Sequence, residues 1–265
     1  MTLQHFIHAC MVAVLFGVAP HLMAQNNPLK FSGHAYSLDG SQLLYVEHHA
    51  IESDLDHNRT TSHVRYHYPN GAVFAKKQLT YDASGFFPDF TFLDDRNDSI
   101  LFVKKVNETI KIQQGNKHSP SSDTLAIANQ GVMIADAGFD VFMVKHWDEL
   151  VTGTTKHVEF LAPTRNMFVT FEIKRTFINE NTIGFNLAPD NFFISLLVDP
   201  IQLEYDLKTG RILSYKGLTN IEKGIQGNMT GENYVAHIRY QYPDQPLQPE
   251  TDHAITVSMQ STHKK

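Results

Sequence analysis

The stretch ADAGFDVFMVKHWDELVTG, residues 135–153, gathers four acidic residues, one histidine and the chain's only tryptophan. A histidine close to carboxylates can move a proton as a general acid or base. Hydrolysis through Asp136, Asp140 or His146 is therefore the first chemistry to test. Metal ligation is the second. Glu47-His48-His49, with His57, His63 and His67, is the densest set of nitrogen and oxygen donors. On a strand His63 and His67 share a face about 13 Å apart, too far to hold one ion, and His48 and His49 point to opposite faces. Asp94-Asp95-Arg96-Asn97-Asp98 reads as a solvated turn. The sequence contains no G-x-S-x-G, no P-loop, no G-x-G-x-x-G and no H-E-x-x-H. No catalytic residue, metal ligand or cofactor is expected.

Phe139, Phe142, Met143, Trp147, Leu150 and Val151 fall at helical spacing. They predict one amphipathic helix over 136–152, with Asp136 as its N-cap, Gly153 at its end and Lys145 paired to Glu149 four residues on. Asp140, Lys145, Asp148 and Glu149 then fall away from the apolar face, as a solvated surface. His146 can reach Asp148 or Glu149. The histidine and the acids are thus better read as decoration on a helix whose apolar row covers something.

What it covers must be a sheet. Val64-Arg65-Tyr66-His67-Tyr68 alternates, with Val64, Tyr66 and Tyr68 on one face and Arg65 and His67 on the other. Pro69-Asn70-Gly71 turns it into the next strand. Similar runs flank Asp39-Gly40, Asn107-Glu108, Asn179-Glu180-Asn181 and Lys208-Thr209-Gly210. The last strand covers Tyr234 to Tyr242, and Gln113 to Asp123 reads as a mobile loop. The fold class expected is mainly β: an antiparallel curved sheet, half-barrel or barrel-like, packed on one amphipathic helix. A pocket between sheet and helix would be lined by Phe139, Phe142, Met143, Trp147 and Leu150 with Phe192 and Phe193. Phe86-Phe87-Pro88-Asp89-Phe90 adds further bulky apolar residues.

Residues 1–24 contain no Lys, Arg, Asp or Glu, and their apolar run from Ala9 to Ala19 is too short to span a bilayer. They read as a cleaved signal peptide, leaving 25–265 as a single β-rich domain located in the periplasm. Cys10, the one cysteine, lies inside the leader, so the mature chain has neither disulfides nor thiol chemistry. A formal net charge of -6 without a basic run argues against nucleic acid or an anionic membrane surface as principal partner. No transmembrane segment is expected in the mature chain.

Five blocks occur together: Phe31-Ser-Gly-His-Ala-Tyr36, Leu44-Tyr-Val-Glu-His-His49, Pro88-Asp-Phe90, Asp136-Ala-Gly-Phe-Asp140 with His146-Trp-Asp-Glu-Leu150, and Val198-Asp-Pro-Ile-Gln-Leu-Glu-Tyr205. Together they resemble a family of uncharacterised secreted proteins of Gram-negative bacteria with no assigned activity. The resemblance implies export and a bacterial origin and supplies no site. In architecture the chain is also similar to periplasmic half-barrels that carry lipoproteins or lipids. The expected function is binding of a lipid or other hydrophobic small molecule. A structural or interaction module that docks an envelope protein is the alternative, and a hydrolase of unknown substrate the third.

Overall fold

The computed structural model describes residues 27–127, 131–190 and 199–244. Among these residues alternating sequences make fifteen strands, all in one sheet. The first half is β1 (Leu29–Tyr36), β2 (Leu43–Ser53), β3 (Arg59–His67), β4 (Val73–Thr80), β5 (Asp89–Asp94), β6 (Ser99–Val106), β7 (Thr109–Asn116) and β8 (Ser121–Ala126). The second is β9 (Met133–Ile134), β10 (Lys156–Ala162), β11 (Met167–Ile178), β12 (Thr182–Pro189), β13 (Ile201–Asp206), β14 (Ile212–Ile225) and β15 (Asn228–Gln241). Successive strands pair, except β8 with β9, and β1 pairs antiparallel with β15, which leaves β8 and β9 as the two sheet edges among the described residues. The expected hairpins form, with Gly71 in the left-handed region at φ 87° closing the turn after Tyr68. Gln113 to Asp123 does not form a mobile loop. Its residues continue β7 and open β8, and Gln113 faces Ser122 in register.

The sheet is curved. Val103 and Ile110, of β6 and β7, share a core with Leu161 of β10. In the strand order β7 and β10 are twelve spacings apart, about 58 Å in a flat sheet at ~4.8 Å per strand. Only a curled sheet brings such side chains together, as the native twist of long sheets favours. The β5–β8 wing therefore faces the β9–β11 wing across the break in the ring, with Phe87 and Phe168 rings 6.3 Å apart.

All pairings are antiparallel except β9 with β10. Parallel neighbours need a crossover, and this one carries the helical segment. It is not a single helix. α1 (Gly138–Lys145) and α2 (Trp147–Val151) meet at His146, whose φ of -107° and ψ of 20° leave the helical region. The His146 ring packs 4.4 Å from that of Phe142. Gly153, at φ 94°, ends α2 as expected. Gly138 is required by close approach, because a Cβ there would sit 2.0 Å from the carbonyl oxygen of Phe86.

Candidate functional site

The apolar row of α1 and α2 is core. Phe142, Met143 and Leu150 are fully buried against Ile173, Phe185 and Tyr205, and Phe139 and Trp147 pack at the margin. Trp147 meets the rings of Tyr205 at 5.8 Å and Phe185 at 6.3 Å. Phe192 and Phe193 lie outside the described residues. Surface hollows open away from this core, one of them over the helical segment itself, with Trp147 in its lining. One of about 460 Å³ is lined by Tyr68, Pro69, Asn70, Ile225 and Gln226. The other, of about 240 Å³, lies over residues 144–149.

The charges of the helical segment are placed differently from the expectation. Asp136 is not the N-cap, a position held by Ala137 without a side-chain bond. Asp136 takes a left-handed backbone at φ 45°. Its Oδ1 accepts the Ala137 N–H at 2.8 Å and its Oδ2 accepts a hydrogen bond from Lys77 Nζ at 2.7 Å. Asp140 is not solvated, since it forms a half-buried pair with Arg59. Lys145 does not pair with Glu149. It donates to the carbonyl oxygen of Ser84 at 2.8 Å and lies over the Phe86 ring. Glu149 instead takes His146 at 3.0 Å and Lys156. The bond from His146, then that from Lys156, lowers its pKa. Asp136, Asp140 and His146 thus each have their own side-chain partner, and they do not converge as an acid–base set.

The inward phase of the sheet explains these pairs. β4 buries Ala75, Lys77 and Leu79 in alternation, which places Lys77, 6 % exposed, among apolar neighbours, with the Tyr66 and Phe92 rings about 6 Å away. A buried cation needs a counter-ion, and the crossover delivers Asp136. At the start of β3, Arg59 meets Asp140, four residues beyond Asp136. Burial disfavours the Arg59 charge, but Asp140 and then Tyr81 outweigh it, and its pKa is raised. Tyr81 and Tyr205 lie in the fields of Asp140 and Arg59, and burial raises both phenols. The Tyr205 hydroxyl is buried without a hydrogen-bond partner among the described residues, and that of Tyr81 is buried beside the Arg59 guanidinium, which can only donate to its oxygen and leaves its O–H as a donor.

The belt of Arg59, Asp140, Lys77, Asp136 and Tyr81 borders the apolar cluster that joins the two wings, since Tyr81 and Ala137 pack on both. A second inward pair lies on β2, where Glu47 is buried and bonds His49 at 2.9 Å. The His49 ring stacks at 4.4 Å on Phe31, which stacks on Tyr242. Among the described residues no three His, Asp or Glu side chains are grouped to hold a metal ion. The arrangement supplies fixed charge pairs and spare phenol donors beside apolar surface.

Sequence reading missed Arg59, Lys77 and Tyr81. The available signal was Lys77, which is in phase with Ala75 and Leu79. It also missed Asp94 and Arg96, which are not a solvated turn. Arg96 donates from Nε and Nη2 to Asp94 at 2.9 and 2.6 Å and from Nη1 to the Gly224 carbonyl oxygen, with its guanidinium 4.3 Å from the Phe74 ring centre. Both are almost fully buried. No helix of the described residues is long and apolar enough to cross a membrane.

No family model and no curated protein matches the chain. Two solved structures are similar to it. One is a β-barrel-like protein of the domain of unknown function DUF1849 from Brucella abortus, at TM-score 0.37 and 8% identity over 82% of this chain and 98% of the other. The second is a porin-like protein from Bacteroides uniformis, at TM-score 0.22 and 10% identity over 81% and 97%.

Proposed function

We propose that the protein is an exported, periplasmic binding protein, with 1–24 as leader and 25–265 as one domain, whose ligand is a lipid or other hydrophobic molecule with a polar end. One observation carries this reading: the largely half-buried belt of Arg59, Lys77, Asp136, Asp140 and Tyr81 abuts the apolar cluster between the two wings, at the break in the ring. The apolar part of the ligand would enter between Leu125 of β8 and Met133 and Phe168 on the other wing, all only partly buried. Its polar end would accept from the Tyr81 hydroxyl and the Arg59 guanidinium. Apolar contact gives affinity at ~25 cal/mol per Å² buried, and the belt selects the head.

The test is native mass spectrometry and solvent extraction of the protein purified from envelope extracts, followed by displacement of a fluorescent fatty acid. A co-purifying amphiphile and saturable probe binding are expected, with Tyr81→Phe weakening the probe about tenfold, the scale of one lost buried hydrogen bond. Absence of both amphiphile and probe binding overturns the reading.

A second reading, an interaction module of the envelope, is supported by the sheet edges. β8 pairs on one side only among the described residues, and β9 covers just Glu159 and Phe160 of β10. An added strand from a partner protein could extend either edge. Cross-linking in cells would then give a discrete adduct that proline substitution of Thr124 removes.

A further inference from the structure

The chain is acidic overall and has no basic run, yet alternation sorts its cations onto one surface. Consider the outward positions of the paired segments 214–218, 235–241, 30–36, 44–52, 61–67 and 73–80, which form one continuous part of the convex face of β14, β15, β1, β2, β3 and β4, away from the β14–β15 turn, where Lys223 pairs with Glu232. They carry five fixed cations, Lys216, Arg239, Lys30, Arg65 and Lys76, and their single acid is Glu52, at the far end and bonded to Thr61. Lys216, Lys30, Arg65 and Lys76 form no ion pair with the described residues. Arg239 lies 5.3 Å from the Tyr36 ring centre.

We propose that this convex face docks on anionic lipid headgroups. Exposed aliphatic side chains stand among the cations: Leu218 and Val235 face each other in register, and Val73 is opposite His67. Cations mixed with aliphatic side chains suit a lipid interface. A nucleic acid surface would present aromatic rings for base stacking, and Tyr36 is the one Phe, Tyr or Trp outward in these segments, its ring already covered by Arg239.

The same face holds five histidines, and three of them, His34, His48 and His237, give the attraction a pH dependence. His48 stands beside His34 and His67, with Arg65 opposite in register. His34 faces Arg239, and His237 faces Lys216 and Tyr36 while bonding Ser214 Oγ at 2.9 Å. His63 is opposite Ala50 and Gln78. Burial lowers the pKa of His34, His48 and His237, helped by the neighbouring histidine rings at His48 and by Arg239 and Lys216 at His237, so these rings gain charge only as the medium becomes acidic. This inference is independent of the ligand belt, which lies on the opposite face.

The experiment is flotation of the full chain with phosphatidylcholine vesicles, with and without phosphatidylglycerol. Binding to the anionic vesicles alone is expected, lost in high salt and stronger at about pH 5.5 than at about pH 7.5. Each surface cation is worth a similar increment on an anionic membrane, so Arg65→Ser/Lys76→Ser/Lys216→Ser should weaken binding about 100-fold. Substituting Lys105, Lys174 and Lys208, which lie off this face, should change it less than about threefold. His34→Asn/His48→Asn/His237→Asn should flatten the pH response. The salt response of the unmodified chain keeps the test open should a variant fail to fold. Equal binding to neutral vesicles, no binding to anionic ones, an unaffected triple variant, a response to pH unchanged by the histidine substitutions, or tighter binding to duplex DNA at the same salt each overturns the proposal.

Discussion

Lys76 and Lys77 are consecutive, yet they belong to different environments. Lys77 points into the curl of the sheet, where burial obliges it to carry Asp136 as a partner. Lys76 points out and is exposed, with no ion pair among the described residues. The contrast extends along both faces. Inside, Arg59, Lys77 and His49 each have a carboxylate, and outside, the cations of segments 214–218, 235–241, 30–36, 44–52, 61–67 and 73–80 share their surface with one acid, Glu52. Desolvation separates the two cases. A charge removed from water must be paired locally, whereas one left in water is screened and available to something outside the molecule.

The inner face should be the costly one to disturb. Phe142→Ala removes a fully buried ring from the core between helix and sheet, and a loss of about 4 kcal/mol in urea unfolding is expected. Val144→Ala, on the exposed side of α1, should stay within about 0.5 kcal/mol. Asp136→Ala leaves Lys77 buried without its partner and should cost about 3 kcal/mol. Lys77→Met/Asp136→Ala should recover part of that loss, since no uncompensated charge remains. Equal costs for the single and double variants would mean that the pair acts through backbone geometry at Asp136 rather than through charge.

pH should separate the faces as well. The pKa values of His34, His48 and His237 are lowered in the folded state, so the unfolded chain binds their protons first. Stability is therefore greatest above the unfolded value of about 6.5 and declines as pH falls through it. Glu149 acts in a lower window. Its lowered pKa contributes stability that is present above the ordinary carboxylate range and is lost as pH falls below it. Thermal unfolding between about pH 7.5 and pH 5.5 should give a falling Tm, shallower in His34→Asn and unchanged in slope in Glu149→Gln. A Tm that rises on acidification would show that these rings are stabilised as cations.

Period-two alternation and turn chemistry made the strands and hairpins legible, because both are local. The helical period located 138–151 for the same reason, but not the break at His146, which accompanies contacts with Phe86, Phe142 and Glu149. The belt was hidden because its partners are remote in sequence: Arg59 and Asp140 are 81 positions apart, Lys77 and Asp136 59. Asp94 and Arg96 looked solvated because their composition is polar, and only the fold places Phe74 and Gly224 over them. The cationic face was hidden for another reason. Its residues are alternate positions on six strands, so no window of the sequence is basic, and net charge averages it away.

Lys76→Ser gives the smallest expected effect on folding and is for that reason the sharpest control on the comparison. Its neighbour in register on β3 is Arg65 and on β5 is Leu93. Removing the ammonium relieves like-charge repulsion with Arg65 and gives up the contact of the lysine stem with its apolar neighbour, two small terms of opposite sign. Urea unfolding should therefore change by no more than about 0.5 kcal/mol in either direction. A substantial loss would mean that Lys76 is held by the fold as Lys77 is, and that the outer face is built for structure. A neutral result beside the large cost of unpairing Lys77 leaves the outer cations without a folding role, which is the condition their use in docking requires.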